Sequence, residues 1–98
     1  MSTPSPHALH NAAETIKVCG HPHRLSMLHH LATPSIGEVT VTELYTVAGI
    51  SQAVASQHLI TLKDRGVLKS HKVGTKVFYS FASDLAKQVV QLVYKAGV

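Results

Sequence analysis

A single, mainly α-helical domain carrying one small β-hairpin is the architecture this sequence predicts, and three observations predict it. The chain has 98 residues, which is room for one domain and no more. Apolar residues recur at helical spacing over most of its length. Two β-rich runs, Val67–His71 and Lys76–Phe81, instead flank a turn at Gly74. With 45% hydrophobic and 14% charged residues the composition is that of a folding chain, not of a disordered one.

Residues 1–6, rich in Ser, Thr and Pro, are expected to be a disordered leader, and 7–98 the folded domain. From His7 to Cys19, Leu9, Ala12, Ala13 and Ile16 mark a first helix, which Gly20 stops. Pro22 suits the first turn of a second, because the N–H it lacks would be unpaired there; Leu25, Leu28 and Leu31 carry that helix to about Ala32. A loop follows over Thr33-Pro34-Ser35-Ile36-Gly37. Thr40 with Glu43 is a capping-box pattern opening a short third helix, with Leu44 and Val47 expected to face inward and Gly49 to end it. Ser51 caps a fourth, whose buried stripe is expected at Val54, His58 or Leu59, and Leu62. After Gly66 comes the two-stranded hairpin. Ser83 caps the fifth helix, with Leu85, Val89, Leu92, Val93 and Ala96 as its apolar stripe and Val90 widening it.

Cys19 is the only cysteine, so no internal disulfide forms and a reducing, cytoplasmic setting is expected. Met1 to Pro6 lacks the basic and apolar runs of a secretory signal. Residues 44–62 contain no Asp, Glu, Lys or Arg, but Gln52, Ser56, Gln57 and His58 argue against a membrane span. A chain of this size buries only ~60–70% of its unfolded surface. The apolar stripe of the last helix is more than so small a core covers, so a second copy is expected against it.

The formal net charge is +4, and its position matters more than its size. Lys63, Arg65, Lys69, Lys72 and Lys76 stand against Asp64 within residues 51–79, a net +4, while the segments on either side are near neutral. A concentrated basic segment is either a solvated face or a polyanion contact. The third helix, the tight turn at Ala48-Gly49-Ile50 and the fourth helix form a helix-turn-helix candidate, and the hairpin makes it winged. A helix entering a major groove needs short amide and hydroxyl side chains, which reach base edges without holding the backbone off. Gln52, Ala53, Ser56 and Gln57 meet that need, whereas a plain solvent face is usually rich in Glu and Lys. Ser51, Thr61, Lys63 and Arg65 suit phosphates, and Lys72 and Lys76 flank the hairpin turn, within reach of phosphates or the minor groove. His58, near the inward stripe, reads as a core or interhelix hydrogen-bonding residue, and one of Phe78 and Tyr79 as packing beneath the wing.

The run Ser51-Gln52-Ala53-Val54-Ala55-Ser56-Gln57-His58-Leu59, then Leu62, Gly66-Val67-Leu68 and Gly74 through Val77-Phe78-Tyr79-Ser80, resembles the recognition helix and wing of the ArsR/SmtB-type winged-helix repressors. Gly20-His21-Pro22-His23-Arg24-Leu25-Ser26-Met27-Leu28 is similar to the opening of that family's second helix. The resemblance spans residues ~9–95. It implies a homodimer joined through the first and last helices, double-stranded DNA bound at a palindromic operator, and repression relieved by a signal. The family's metal-sensing sets, a cysteine pair in the third helix or Asp and His in the last with a further His and Glu, are missing. Metal sensing is therefore not carried over, and the cofactor stays unassigned.

Two other groups have the right chemistry for Zn, Ni or Cu: Cys19, His21 and His23, and His7, His10 and Glu14. Chance grouping among eight histidines is the weightier account of both. Of His29 and His30, adjacent and so facing apart, one is expected in the core or dimer region. A protein-docking module without DNA binding is the alternative function. Enzyme chemistry is not expected: the five carboxylates are scattered, and neither a Ser, His and acid set nor a glycine-rich phosphate loop is present.

Overall fold

Each of the five helices begins on a side chain that accepts a backbone N–H of its own first turn. The computed structural model describes residues 3–96 and shows these caps at Ser5, His21, Thr40, Ser51 and Ser83, at 3.1, 3.1, 3.3, 3.2 and 3.1 Å. They open α1 (Pro6–Cys19), α2 (Pro22–Ala32), α3 (Val41–Ala48), α4 (Gln52–Asp64) and α5 (Asp84–Lys95). Because such caps satisfy otherwise orphaned donors locally, the boundaries follow from residue type. Residues 1 and 2 of the expected leader, and 97 and 98 of the expected domain, lie outside the described residues.

Between α4 and α5 runs the hairpin, β2 (Leu68–Val73) and β3 (Lys76–Phe81), antiparallel with Leu68 opposite Phe81 and Val73 opposite Lys76. Gly74 holds φ at 62° in its turn, a left-handed conformation that costs glycine little. A third strand, β1 (Val39–Thr40), pairs with the other edge of β3, giving the order β1-β3-β2. The two-stranded wing expected from sequence is thus part of a three-stranded sheet; two residues are too few to show an alternating pattern.

α2 lies at the centre, packed on α3, α4 and α5. Its Met27, Leu28 and Leu31 join Leu44 of α3, Ala55, Leu59 and Leu62 of α4, and Ala86 and Val90 of α5 in one core. Gln91 of α5 also donates to the Ala32 carbonyl at 2.9 Å. Beneath the wing it is Tyr79 that is buried, while Phe78 stacks on His71 outside.

Three local expectations are corrected. Val47 is 46% exposed, because the stripe that α3 turns inward is Val41, Leu44, Tyr45 and Ala48. Val54 is 41% exposed, and Ala55 takes the buried place one residue on. Of the capping box, the Thr40 half is present, but the Glu43 carboxylate bonds His30 of α2 instead of turning back on its own helix.

Candidate nucleic-acid interface

Gly49, at φ 67°, turns the chain sharply between α3 and α4, and its N–H reaches back to the Thr46 carbonyl at 3.2 Å. The turn sets α4 across α3 with Ala55, Leu59 and Leu62 inward. The remaining faces of α4 leave Gln52, Ala53 and Gln57 exposed, with Ser56 half-buried beside them. An open groove runs between α4, the start of α3 and the wing; Thr42, Gln52, Ser56, Ile60, Thr75 and Lys76 line it. Amide, hydroxyl and ammonium groups from three elements therefore face one concavity.

The sheet register divides the wing lysines. Lys72 lies opposite Val77 and Lys76 opposite Val73, so the two side chains leave opposite faces of the hairpin tip. Both are exposed, as is Lys63 at the end of α4, and among the described residues none of the three pairs with a carboxylate. Ser51 is exposed, its hydroxyl committed to the Val54 N–H at the start of α4.

Two residues read as phosphate contacts lie elsewhere. Thr61 borders a separate hollow with Glu14 and Arg24, its hydroxyl donated to the Gln57 carbonyl at 3.1 Å. Arg65 points to the same side and pairs with Glu14 of α1 at 3.2 Å. Conversely, Thr42, Ile60 and Thr75 share the groove without having been picked out. A hydroxyl two residues past the Thr40 cap and another beside Gly74 were the available signals.

α4 is anchored from behind by Arg24. Its Nε donates to His58 Nδ1 at 3.1 Å and one terminal nitrogen donates to the Val18 carbonyl at 3.1 Å, so a single guanidinium ties α2 to α4 and to the end of α1. His58 is thus the interhelix residue expected. Burial, and then the neighbouring charges of His21, Arg24 and His23, hold its imidazole below the usual 6.5.

The metal candidates are regrouped. Cys19 is buried, and burial pushes its thiol up against a smaller lowering by Arg24, which keeps it protonated. It does not join His21 and His23; His58 does. His7 bonds Asn11, and Glu14 is held by Arg65, so His7, His10 and Glu14 form no group. His30 is half-buried on Glu43, and His29 stacks on Tyr94 of α5.

Fold and site together define a winged helix-turn-helix protein, the class that regulates transcription on double-stranded DNA. A family model described as a helix-turn-helix domain matches residues 20–71. The HTH-type transcriptional regulator MJ1325 of Methanocaldococcus jannaschii is 37% identical over 82 residues, 84% of this chain and 90% of that protein. The structure is similar to HlyU from Vibrio cholerae, with a TM-score of 0.86 at 27% identity over 95% of this chain and 98% of that one. It is also similar to the transcriptional repressor PagR of Bacillus anthracis, with a TM-score of 0.79 at 26% identity over 91% and 99%. The chain belongs to this helix-turn-helix family, among the ArsR/SmtB-type winged-helix transcriptional regulators. The matching proteins are regulators and not enzymes. No helix among the described residues is long and apolar enough to cross a membrane.

Proposed function

We propose that the chain is a cytoplasmic, dimeric repressor that reads a palindromic operator through α4 and leaves it in response to a signal. The observation that carries this is the shared groove: Gln52 and Ser56 of α4 open onto the same concavity as Lys76 of the wing. Gln52, Ala53, Ser56 and Gln57 meet base edges, glutamine being able to pair with adenine through two hydrogen bonds. Lys63, Lys72 and Lys76 take phosphates, with Ser51 at the N-terminus of α4, where backbone N–H groups favour an anion. Thr61 completes the set only if DNA wraps toward α1.

Dimerisation through α1 and α5 is supported by what these helices leave uncovered. Leu9 and Ile16 on α1, and Leu85 and Leu92 on α5, are all exposed, and the two helices pack against each other. A two-fold axis through that face buries them and sets two copies of α4 about 34–36 Å apart, one turn of DNA.

The test is an operator titration against salt, with duplex recovered from genomic fragments. Three lysines per protomer, six per dimer, at about −0.9 per phosphate neutralised, predict a slope of log affinity on log salt near −5. A flat response, with random duplex unable to compete, overturns the proposal in favour of protein docking.

A further inference from the structure

Behind the recognition helix, three histidines from two parts of the chain converge. His21 caps α2, His23 lies in its first turn and His58 sits midway along α4. Their ring centroids are 4.5 Å (His21–His58), 5.2 Å (His21–His23) and 5.6 Å (His23–His58) apart. One ring nitrogen from each lies within 4.8 Å of the other two, and all three residues are half-buried. Among the described residues no other three His, Cys, Asp or Glu side chains gather in this way. We infer that His21, His23 and His58 form a binding site for one divalent transition-metal ion of borderline softness. The inference is independent of the DNA-binding proposal.

The donor set defines the ion class. Three imidazoles with neither carboxylate nor thiolate suit Zn²⁺, Ni²⁺ or Cu²⁺ and are poor ligands for Mg²⁺ or Ca²⁺. Nitrogens sharing a tetrahedral Zn²⁺ at about 2.1 Å lie about 3.4 Å apart, so the rings have to close by up to about 1.4 Å from separations within 4.8 Å, within reach of half-exposed side chains. Solvent on the open side supplies the fourth ligand.

The bonds already present show what the ion displaces. His21 Nδ1 accepts from the His23 N–H and His58 Nδ1 accepts from Arg24 Nε, each at 3.1 Å, so in both rings Nδ1 carries the lone pair and Nε2 the proton. Ligation through Nδ1 displaces these donors directly. Ligation through Nε2 moves the ring proton to Nδ1, which then no longer accepts. On either route the ion replaces the Arg24 link to α4 and loosens the cap of α2. Arg24 moves away from the site, which also relieves its repulsion of the cation.

The probe is Zn²⁺, titrated calorimetrically and by competition with a chromophoric chelator into the tag-free, chelator-stripped full chain. The expected result is one Zn²⁺ per chain, with Mg²⁺ giving no heat. His58→Ala and His23→Ala should each weaken binding by at least tenfold, since even an outer-shell partner is worth about 10–100-fold, while His10→Ala leaves it unchanged. Should His58→Ala fail to fold, nitrogen-15 spectra of the wild-type rings decide: the resonances of His21, His23 and His58 shift on adding Zn²⁺, and those of His7 and His10 do not. No saturable equivalent of Zn²⁺, binding that survives both substitutions, or shifts confined to other histidines overturns the inference.

Discussion

Replacing Arg24 with alanine removes one side chain that serves three helices. The guanidinium makes two hydrogen bonds from different nitrogens, to His58 Nδ1 and to the Val18 carbonyl, both at 3.1 Å and both part-buried. A hydrogen bond from a charged donor contributes about 1.5–3 kcal/mol. Partial exposure argues for the lower end, so the pair stabilises the fold by about 3 kcal/mol. For a domain of this size about 4–8 °C of melting temperature accompanies each kcal/mol, and Arg24→Ala is expected to melt at least ~10 °C lower. Arg24→Lys should recover little of that, since a single ammonium on a flexible stem cannot span two acceptors as the planar fork does. The assay is thermal and urea denaturation at fixed protein concentration, because a dimer's melting point depends on it. A loss below about 0.5 kcal/mol, the range of ordinary surface substitutions, would refute the assignment of Arg24 as the anchor of α4.

Lys76→Ala, which removes two phosphate contacts per dimer, should flatten the salt slope by about 1.8 and weaken all duplexes alike; a change in base preference would contradict its role. Leu92→Asp, at a position 63% exposed on α5, should leave helical content intact, shift the protein to monomer in sedimentation and reduce operator affinity; an unchanged dimer would exclude α5 from the interface. The depressed His58 imidazole gives a pH dependence of defined sign. Below its unfolded value of about 6.5 the unfolded chain binds a proton that the folded chain refuses, so stability falls with pH until the lowered folded value is passed. His58→Gln, which can still accept from Arg24, should lose less stability than wild type between about pH 7 and pH 5; an equal loss would assign the effect to other histidines.

What was legible in the sequence is what is decided within one turn of chain. Ser51, Thr40 and Ser83 act on N–H groups three residues away, and Gly49 and Gly74 supply the left-handed backbone that their turns require. The phase of a helix was harder. Apolar residues stand at both 54 and 55, and only the close approach of neighbouring helices, which admits the small Ala55, decides which one is buried. Glu43 could have closed its own capping box, but His30, 13 residues earlier, takes its carboxylate. Arg65 counted as a free cation until Glu14, 51 residues away, reached it. The histidine cluster depends likewise on a tertiary contact, between the start of α2 and the middle of α4, that no local spacing encodes. The exposure of the α4 face was readable for the opposite reason: Gln52, Ala53 and Gln57 are exposed, so no tertiary contact had to be foreseen to place them at the surface.

Selection of bound duplexes from a randomised library, run in parallel with wild type and Gln57→Ala, bears most directly on the role given to that face. Two half-sites about 10 base pairs apart, with preference relaxed at one symmetric pair of positions in the variant, is the expected outcome. An identical motif from both proteins, or no enriched motif from either, would mean that α4 does not read the bases.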